Sequence, residues 1–235
     1  MSAFGLPPDS APAAGLAVEI LPDPAVVANR AAELVHQHAL LAAAERGSFT
    51  FAVSGGHTPW AMFAKLSGED FPWAQTSVYQ VDERIAPAGD PRRNLTLLRE
   101  SLGPVASVVG LYPMPVEESD LAVAADAYAR SLPARFDLIH LGLGADGHTA
   151  SLVPGDPVLE VHDRDVALTG PYMGLARMTL TYPVLDRARA LLWLVTGQEK
   201  RDALDRLLGG ERSIPAGRVA NAHALVLADT AAAGD

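Results

Sequence analysis

Asp146, Gly147 and His148 set a carboxylate two positions before an imidazole, within the run "GLGADGHTASLVPG". Histidine has an unperturbed pKa of about 6.5, so it can take up and return a proton near neutral pH. A neighbouring carboxylate fixes the tautomer and stabilises the protonated ring, which is what general acid–base catalysis needs. A second segment, "SGGHTP", suits an anion. After Ser54, the glycines Gly55 and Gly56 let backbone N–H groups turn toward a ligand, and a helix opening at Pro59 adds a favourable dipole. Thr58 offers a hydroxyl and is expected to cap that helix. The Gly-Lys-Ser/Thr ending of a P-loop is absent.

Positive charge for an anion is expected from three residues far apart in sequence. Arg84 follows Asp82 and Glu83, Arg177 opens a strand, and Lys200 falls in the first turn of a helix after Gly197. A cation in a first turn opposes the helix dipole, which points to a reason other than helix stability. His57 is a further neighbour of the same turn.

Residues 142–147 also spell the dinucleotide pattern G-x-G-x-x-G. That fingerprint requires a strand before the glycines, a long helix starting on them and an acidic residue about 20 positions later. "DLIHL" supplies the strand, but Pro154 and Pro157 fall where the helix should run. The segment is therefore read as a loop bent closely around a ligand, with Asp146 and His148 projecting into the site. Ser54 and Ser151 lack the G-x-S-x-G elbow of an α/β-hydrolase nucleophile. His36 and His38, two apart on one helix, point to different sides and make a poor metal pair.

The elements that position these groups alternate. "AVEIL" is a strand, followed by a helix with Asp23 as N-cap, Pro24 at its first position and Gly47 past its end. "SFTFAV" runs into the glycine turn and its helix. "TSVYQV" runs into "DER" and a helix through Leu102. "VVGLY" precedes the helical "SDLAVAADAYARSL", and "FDLIHLGLG" is the next strand and turn. "ARMTLTY" and "ARALLWLVT" are further strands, then comes a helix from "GQEKRDALDRLL" and a last strand "HALVLAD". This order predicts an α/β fold: a mostly parallel sheet with helices on both faces, a Rossmann-like three-layer sandwich. Ligands in such sheets gather beyond the carboxyl ends of the strands. "SGGHTP", "VDER" and "GLGADGH" each begin where a strand ends, so one crevice is expected to hold all three. Residues 1–16, rich in Pro, Ala and Gly, are expected to form a flexible arm, and residues 17–235 a single domain.

Composition narrows the function classes. Of the 235 residues, 18 are basic and 28 acidic, a formal charge of −10 that argues against a nucleic-acid partner. A small anionic substrate stays compatible, because local cations and N–H groups decide that. There are no cysteines, which excludes disulfides, thiol catalysis and cysteine metal sites. No signal peptide or membrane-spanning apolar run is read, so a cytoplasmic location without membrane contact is expected.

Together, "SGGHTP", "VDERIAP…RRN", "LGLGADGHTASLVPG", "RMTLTYPVL" and "TGQEKRDAL" resemble the 6-phosphogluconolactonase family, in the same order and across almost the whole chain beyond the arm. The resemblance implies cofactor- and metal-independent hydrolysis of 6-phospho-D-glucono-1,5-lactone to 6-phosphogluconate in the oxidative pentose phosphate pathway, by a monomer or weak homo-oligomer. It makes His148, oriented by Asp146, the general base and then acid, and Arg84 the group that steadies substrate or oxyanion. It assigns Ser54, Gly55, Gly56, Thr58, Arg177 and Lys200 to the phosphate. Asp82, Glu83 and Asn94 are expected to organise Arg84 and its loop. Glucosamine-6-phosphate deaminase/isomerase is the rival: it is similar in fold and Asp-Gly-His loop, but has Asp-Glu-Tyr where this chain has Asp82-Glu83-Arg84. It also carries Asn-Glu-Pro where this chain reads "SLVPG". A non-catalytic sugar-phosphate sensor is a further alternative, and a dinucleotide oxidoreductase a third.

Overall fold

The computed structural model describes residues 16–220 and 222–234, so the expected arm, apart from Leu16, lies outside the described residues. The middle layer is a seven-stranded sheet. Its order is β1 (Ala17–Leu21), β10 (Ala224–Asp229), β9 (Leu191–Val195), β6 (Leu138–Gly142), β2 (Phe49–Val53), β3 (Thr76–Gln80) and β5 (Gly110–Tyr112). Every neighbouring pair is parallel, so the carboxyl ends of all seven strands share one edge.

Strand residues are apolar on both faces because helices cover both. Leu225 and Leu227 of β10, Leu192 and Leu194 of β9, and Phe49, Phe51 and Val53 of β2 pack toward α1 (Pro24–Arg46), α2 (His57–Leu66) and α3 (Asn94–Leu102). Their sequence neighbours Val226, Ala228, Trp193, Val195 and Ala52 enter the opposite core. That core also holds residues of α4 (Leu121–Ser131), α5 (Tyr182–Asp186), α6 (Arg201–Leu208) and α7 (Thr230–Ala233). The three-layer α/β architecture is thus as the sequence predicts.

Local signals set the helix ends. Asp23 accepts from the Val26 N–H at 2.9 Å, Pro24 opens α1, and Gly47 closes it at φ 76°. At α2 the expectation needs correction. The helix begins at His57 with Gly56 at the cap, so Thr58 lies within the first turn and its hydroxyl instead pairs with that of Thr196 at 2.9 Å.

The larger departure concerns "VDER". Asp82–Arg84 is not a loop but a strand, β4, antiparallel to β8 (Arg177–Leu180), which pairs in turn with β7 (Val166–Leu168). Val81 joins the two sheets: its N–H donates to Val53 in the large sheet, and its carbonyl accepts from Leu180 in the small one. The segment "RMTL" therefore leaves the parallel sheet and carries Arg177 over the strand ends.

Candidate active site

The turns after β2, β6 and β9 leave the same edge of the sheet, and β4 and β8 lean over them. They enclose two adjoining compartments of about 170 and 240 Å³. His148, Arg84, Arg177, Asp82, Asn94 and Ser54 line the first, and Gly56, His57, Thr58 and Thr196 line the second. Gly55, Gly142, Leu143 and Lys200 border both. All the residues proposed from sequence for catalysis or phosphate binding except Asp146 line this double cleft, and Asp146 touches it through His148.

The loop after β6 is a closed turn: the Gly144 N–H donates to the His148 carbonyl at 2.8 Å, and the Gly147 N–H to the Gly144 carbonyl at 2.9 Å. Asp146 Oδ1 lies 2.6 Å from His148 Nδ1 and also accepts the His148 backbone N–H at 3.1 Å. With Asp146 ionised, the ring proton sits on Nδ1 and Nε2 is left as the basic nitrogen. Burial pushes the Asp146 carboxyl up, but bonds and charge from His148 and the Tyr172 hydroxyl hold it below the usual carboxylate value.

The glycines of this loop serve the pair by absence of bulk. A Cβ on Gly144 would stand 2.0 Å from His148 Nδ1 and 2.7 Å from Asp146 Oδ1. Gly147 adopts φ 82°, with Ile214 against its α-carbon. Ala150, which also borders the cleft, is held at φ 51°, a strained conformation for a residue with a side chain.

Arg84 and Arg177 are direct cross-strand partners in the β4–β8 ladder. Like charges facing each other across strands destabilise a sheet unless something anionic lies between them. Arg177 is buried, its Nε has no hydrogen-bond partner, and its Nη1 reaches only Ser151 Oγ at 3.4 Å. Burial, foremost, lowers the Arg177 pKa, and Arg84 adds to the effect. Arg177 is thus the member of the pair with an unfilled donor, whereas Arg84 donates through Nη1 to the Arg92 carbonyl and to Asn94 Oδ1.

The acidic residues beside them are occupied with structure. Glu83 is fully buried and accepts four bonds at 2.8 Å: from Gln80 Nε2 and from the backbone N–H groups of Arg84, Asn94 and Leu95. It thereby caps α3 and fixes Asn94, whose Oδ1 accepts from Arg84 Nη1. Asp82 accepts Ser151 Oγ at 2.6 Å and Asn94 Nδ2 at 3.3 Å. A Cβ on Gly55 would fall 2.0 Å from Asn94 Oδ1, so this scaffold and the glycine turn are fitted together.

On the opposite wall, α2 presents its N-terminus with no side chain capping it. Lys200 ends a short 3-10 turn leading into α6, and its Nζ is 4.0 Å from Glu199 Oε1. The Gly197 N–H that starts this turn is anchored on the Asp229 carboxylate at 3.0 Å.

Residues 22–228 match the family described as glucosamine-6-phosphate isomerases/6-phosphogluconolactonase. The chain belongs to this family. A 6-phosphogluconolactonase of Synechocystis sp. is 35% identical over 207 residues, which are 83% of this chain and 85% of the relative. The crystal structure of 6-phosphogluconolactonase from Thermotoga maritima aligns with a TM-score of 0.80 at 26% identity, covering 91% of this chain and 98% of that one. A monomeric glucosamine-6-phosphate deaminase also aligns with a TM-score of 0.80, at 16% identity, covering 93% of this chain and 99% of that one. The fold is therefore common to proteins of both activities in the family's description.

Two groups in the site were not read from sequence. Tyr172 donates its hydroxyl to Asp146 Oδ2 at 3.1 Å across 26 positions, a contact no local spacing encodes. His140, in the middle of β6, lies behind the glycine turn with its Nδ1 3.3 Å from the Ser54 N–H. Burial drives its pKa down to about 3, so this imidazole is neutral and carries no charge to the site.

Proposed function

We propose that the chain hydrolyses 6-phospho-D-glucono-1,5-lactone to 6-phosphogluconate, the lactone-opening step of the oxidative pentose phosphate pathway. The observation that carries this reading is one cleft holding a histidine–carboxylate pair beside Arg84, Arg177 and Lys200. His148 Nε2 takes a proton from water as the water oxygen attacks the lactone carbonyl carbon. The carbonyl oxygen gains charge in the transition state, and Arg84, steadied by Asn94, faces it. On collapse the bond from carbon to ring oxygen breaks, and the proton on Nε2 passes to that oxygen. The substrate phosphate rests where Ser54, Gly55, Gly56 and Thr58 meet Arg177 and Lys200. A base, a water and fixed cations suffice for this chemistry, so no metal or cofactor is required.

The deaminase branch is disfavoured by two features. Arg84 stands where that family has a tyrosine, and the segment that would supply its Asn-Glu-Pro reads Leu152-Val153-Pro154, with Val153 in the place of the glutamate. The reading includes one catalytic unit over residues 17–235, acting in the cytoplasm as a monomer or weak homo-oligomer. Among the described residues no helix is long and apolar enough to cross a membrane.

The decisive assay follows lactone opening against an enzyme-free blank, because the lactone also opens spontaneously, with glucosamine 6-phosphate run in parallel. Acceleration with the lactone alone is expected. No acceleration, or ammonia release from the amino sugar, refutes the reading. For the phosphate, Lys200→Ala is expected to raise KM about tenfold or more, the worth of a charge-assisted hydrogen bond, with a smaller change in kcat. An unchanged KM and unchanged product affinity would remove Lys200 from the site.

A further inference from the structure

We propose that Tyr172 is a positioning residue for the reaction, locking the Asp146 carboxylate onto His148 through its hydroxyl and steadying Arg177 through its ring. The inference rests on the lactone-hydrolysis reading and adds to it a residue that connects base and cation.

Asp146 Oδ1 is committed to His148, through both the ring Nδ1 and the backbone N–H. The other oxygen, Oδ2, receives the Tyr172 hydroxyl at 3.1 Å. A carboxylate held at both oxygens cannot rotate, so the direction of its bond to Nδ1, and hence the aim of Nε2, is fixed. The tyrosine ring meets the imidazole edge-on, with centroids 5.2 Å apart and planes at 63°. Arg177 lies over the same ring, Cζ 4.9 Å from its centroid, and Arg177 Nη2 is 3.5 Å from the Tyr172 carbonyl. Burial first, then the bond to Asp146, pushes the phenol pKa up, so the hydroxyl stays a donor at neutral pH.

The turn does not need this hydroxyl to form. The Tyr172 N–H donates to Leu175 at 2.9 Å and the Leu175 N–H returns to Tyr172 at 3.3 Å, with Met173 and Gly174 both at positive φ. That is a self-closing two-residue turn, and the phenol hydroxyl adds nothing to its backbone bonds. Tyr172→Phe therefore keeps the turn, the ring contact with His148 and the Arg177 stacking, and deletes only the hydroxyl with its bond to Asp146 Oδ2 and its 3.5 Å contact with His148 Nδ1. The charged or titratable groups around His148 are Asp146 and Tyr172 in contact, and Asp82, Arg84, Arg177 and Lys200 along the cleft. All but Tyr172 are unchanged in the variant.

The test measures kcat, KM and the pH dependence of kcat/KM for Tyr172→Phe, with the ring-nitrogen NMR titration of His148 in the free protein. Losing the donor concentrates charge on Asp146, which favours protonated His148, so the acid limb and the NMR midpoint are expected to move to higher pH. On the plateau kcat is expected to fall about threefold to tenfold, the worth of a typical intramolecular hydrogen bond, with KM within about twofold. Tyr172→Leu, which also removes the ring under Arg177, is expected to raise KM as well. An unmoved midpoint together with kcat within twofold of the parent overturns the proposal. If the parent shows no lactonase activity, the function reading fails, and the His148 midpoint alone then decides the role of Tyr172.

Discussion

Replacing His148 with alanine is expected to lower kcat by about a hundredfold or more, within the range general acid–base groups contribute, while affinity for 6-phosphogluconate stays within a few-fold. The asymmetry follows from the geometry. His148 supplies a proton acceptor, whereas the charge that holds the ligand comes from Arg84, Arg177 and Lys200 on other elements. The imidazole is partly exposed, pairs with Asp146 and Tyr172 and lies against Gly144 at the cleft, so its loss leaves no buried cavity and the fold is expected to survive. Rates should be measured against spontaneous lactone opening, with product binding followed by calorimetry. The acid limb of kcat/KM should vanish with the imidazole. A variant within tenfold of the parent would mean that His148 only orients substrate, and the base would have to be sought elsewhere.

Much of the fold was legible because parallel strands flanked by capped helices announce themselves locally. Asp23, Pro24 and Gly47 bracket α1 as their chemistry dictates, and strand residues alternate between two apolar cores. The small antiparallel sheet was not legible. Its strands are only three or four residues long, its central ladder joins Asp82 to Thr179, and charged residues in a short buried strand look like a loop. That blind spot mattered for the site, since the ladder is what brings Arg84 opposite Arg177. The sequence named both arginines but could not say that they face one another. Thr58 shows the reverse error: a good capping residue two positions too late, because Gly56 already occupies the cap. Tyr172 escaped because its partner is remote and its own turn is explained by Gly174.

The strain in this site has a common direction. Two guanidiniums oppose each other across a ladder, Arg177 Nε and Ser54 Oγ are buried without partners, and Ala150 is held at positive φ. Each of these costs stability in the free protein, and each borders the same cleft. Strain of this kind persists only where the surrounding structure over-determines it, and it clusters at functional sites.

Gly144→Ala is expected to lose nearly as much kcat as His148→Ala, on the order of a hundredfold, although it removes no functional group. The new methyl would lie 2.0 Å from Nδ1 and 2.2 Å from Cε1 of His148, far inside contact distance. Gly144 itself has no positive φ, and its N–H bond to the His148 carbonyl closes the loop, so the backbone can accept alanine and has reason to stay in place. The imidazole must therefore turn away, breaking the bond to Asp146. Because the displaced ring can swing into the open cleft, thermal stability should change little. The double variant Gly144→Ala/His148→Ala separates this account from general damage: with the imidazole gone the methyl's nearest neighbour is Asp146 Oδ1, at 2.7 Å, and that carboxylate no longer has a ring to orient, so the double variant should be no slower than His148→Ala alone. Additive losses, or near-normal turnover in Gly144→Ala, would refute it. On this account the first, third and sixth positions of the "GLGADG" string do three different things. Gly142 borders the cleft with open space beside it, Gly144 makes room for the imidazole, and Gly147 takes a left-handed turn against Ile214. None of the three needs a dinucleotide to explain it.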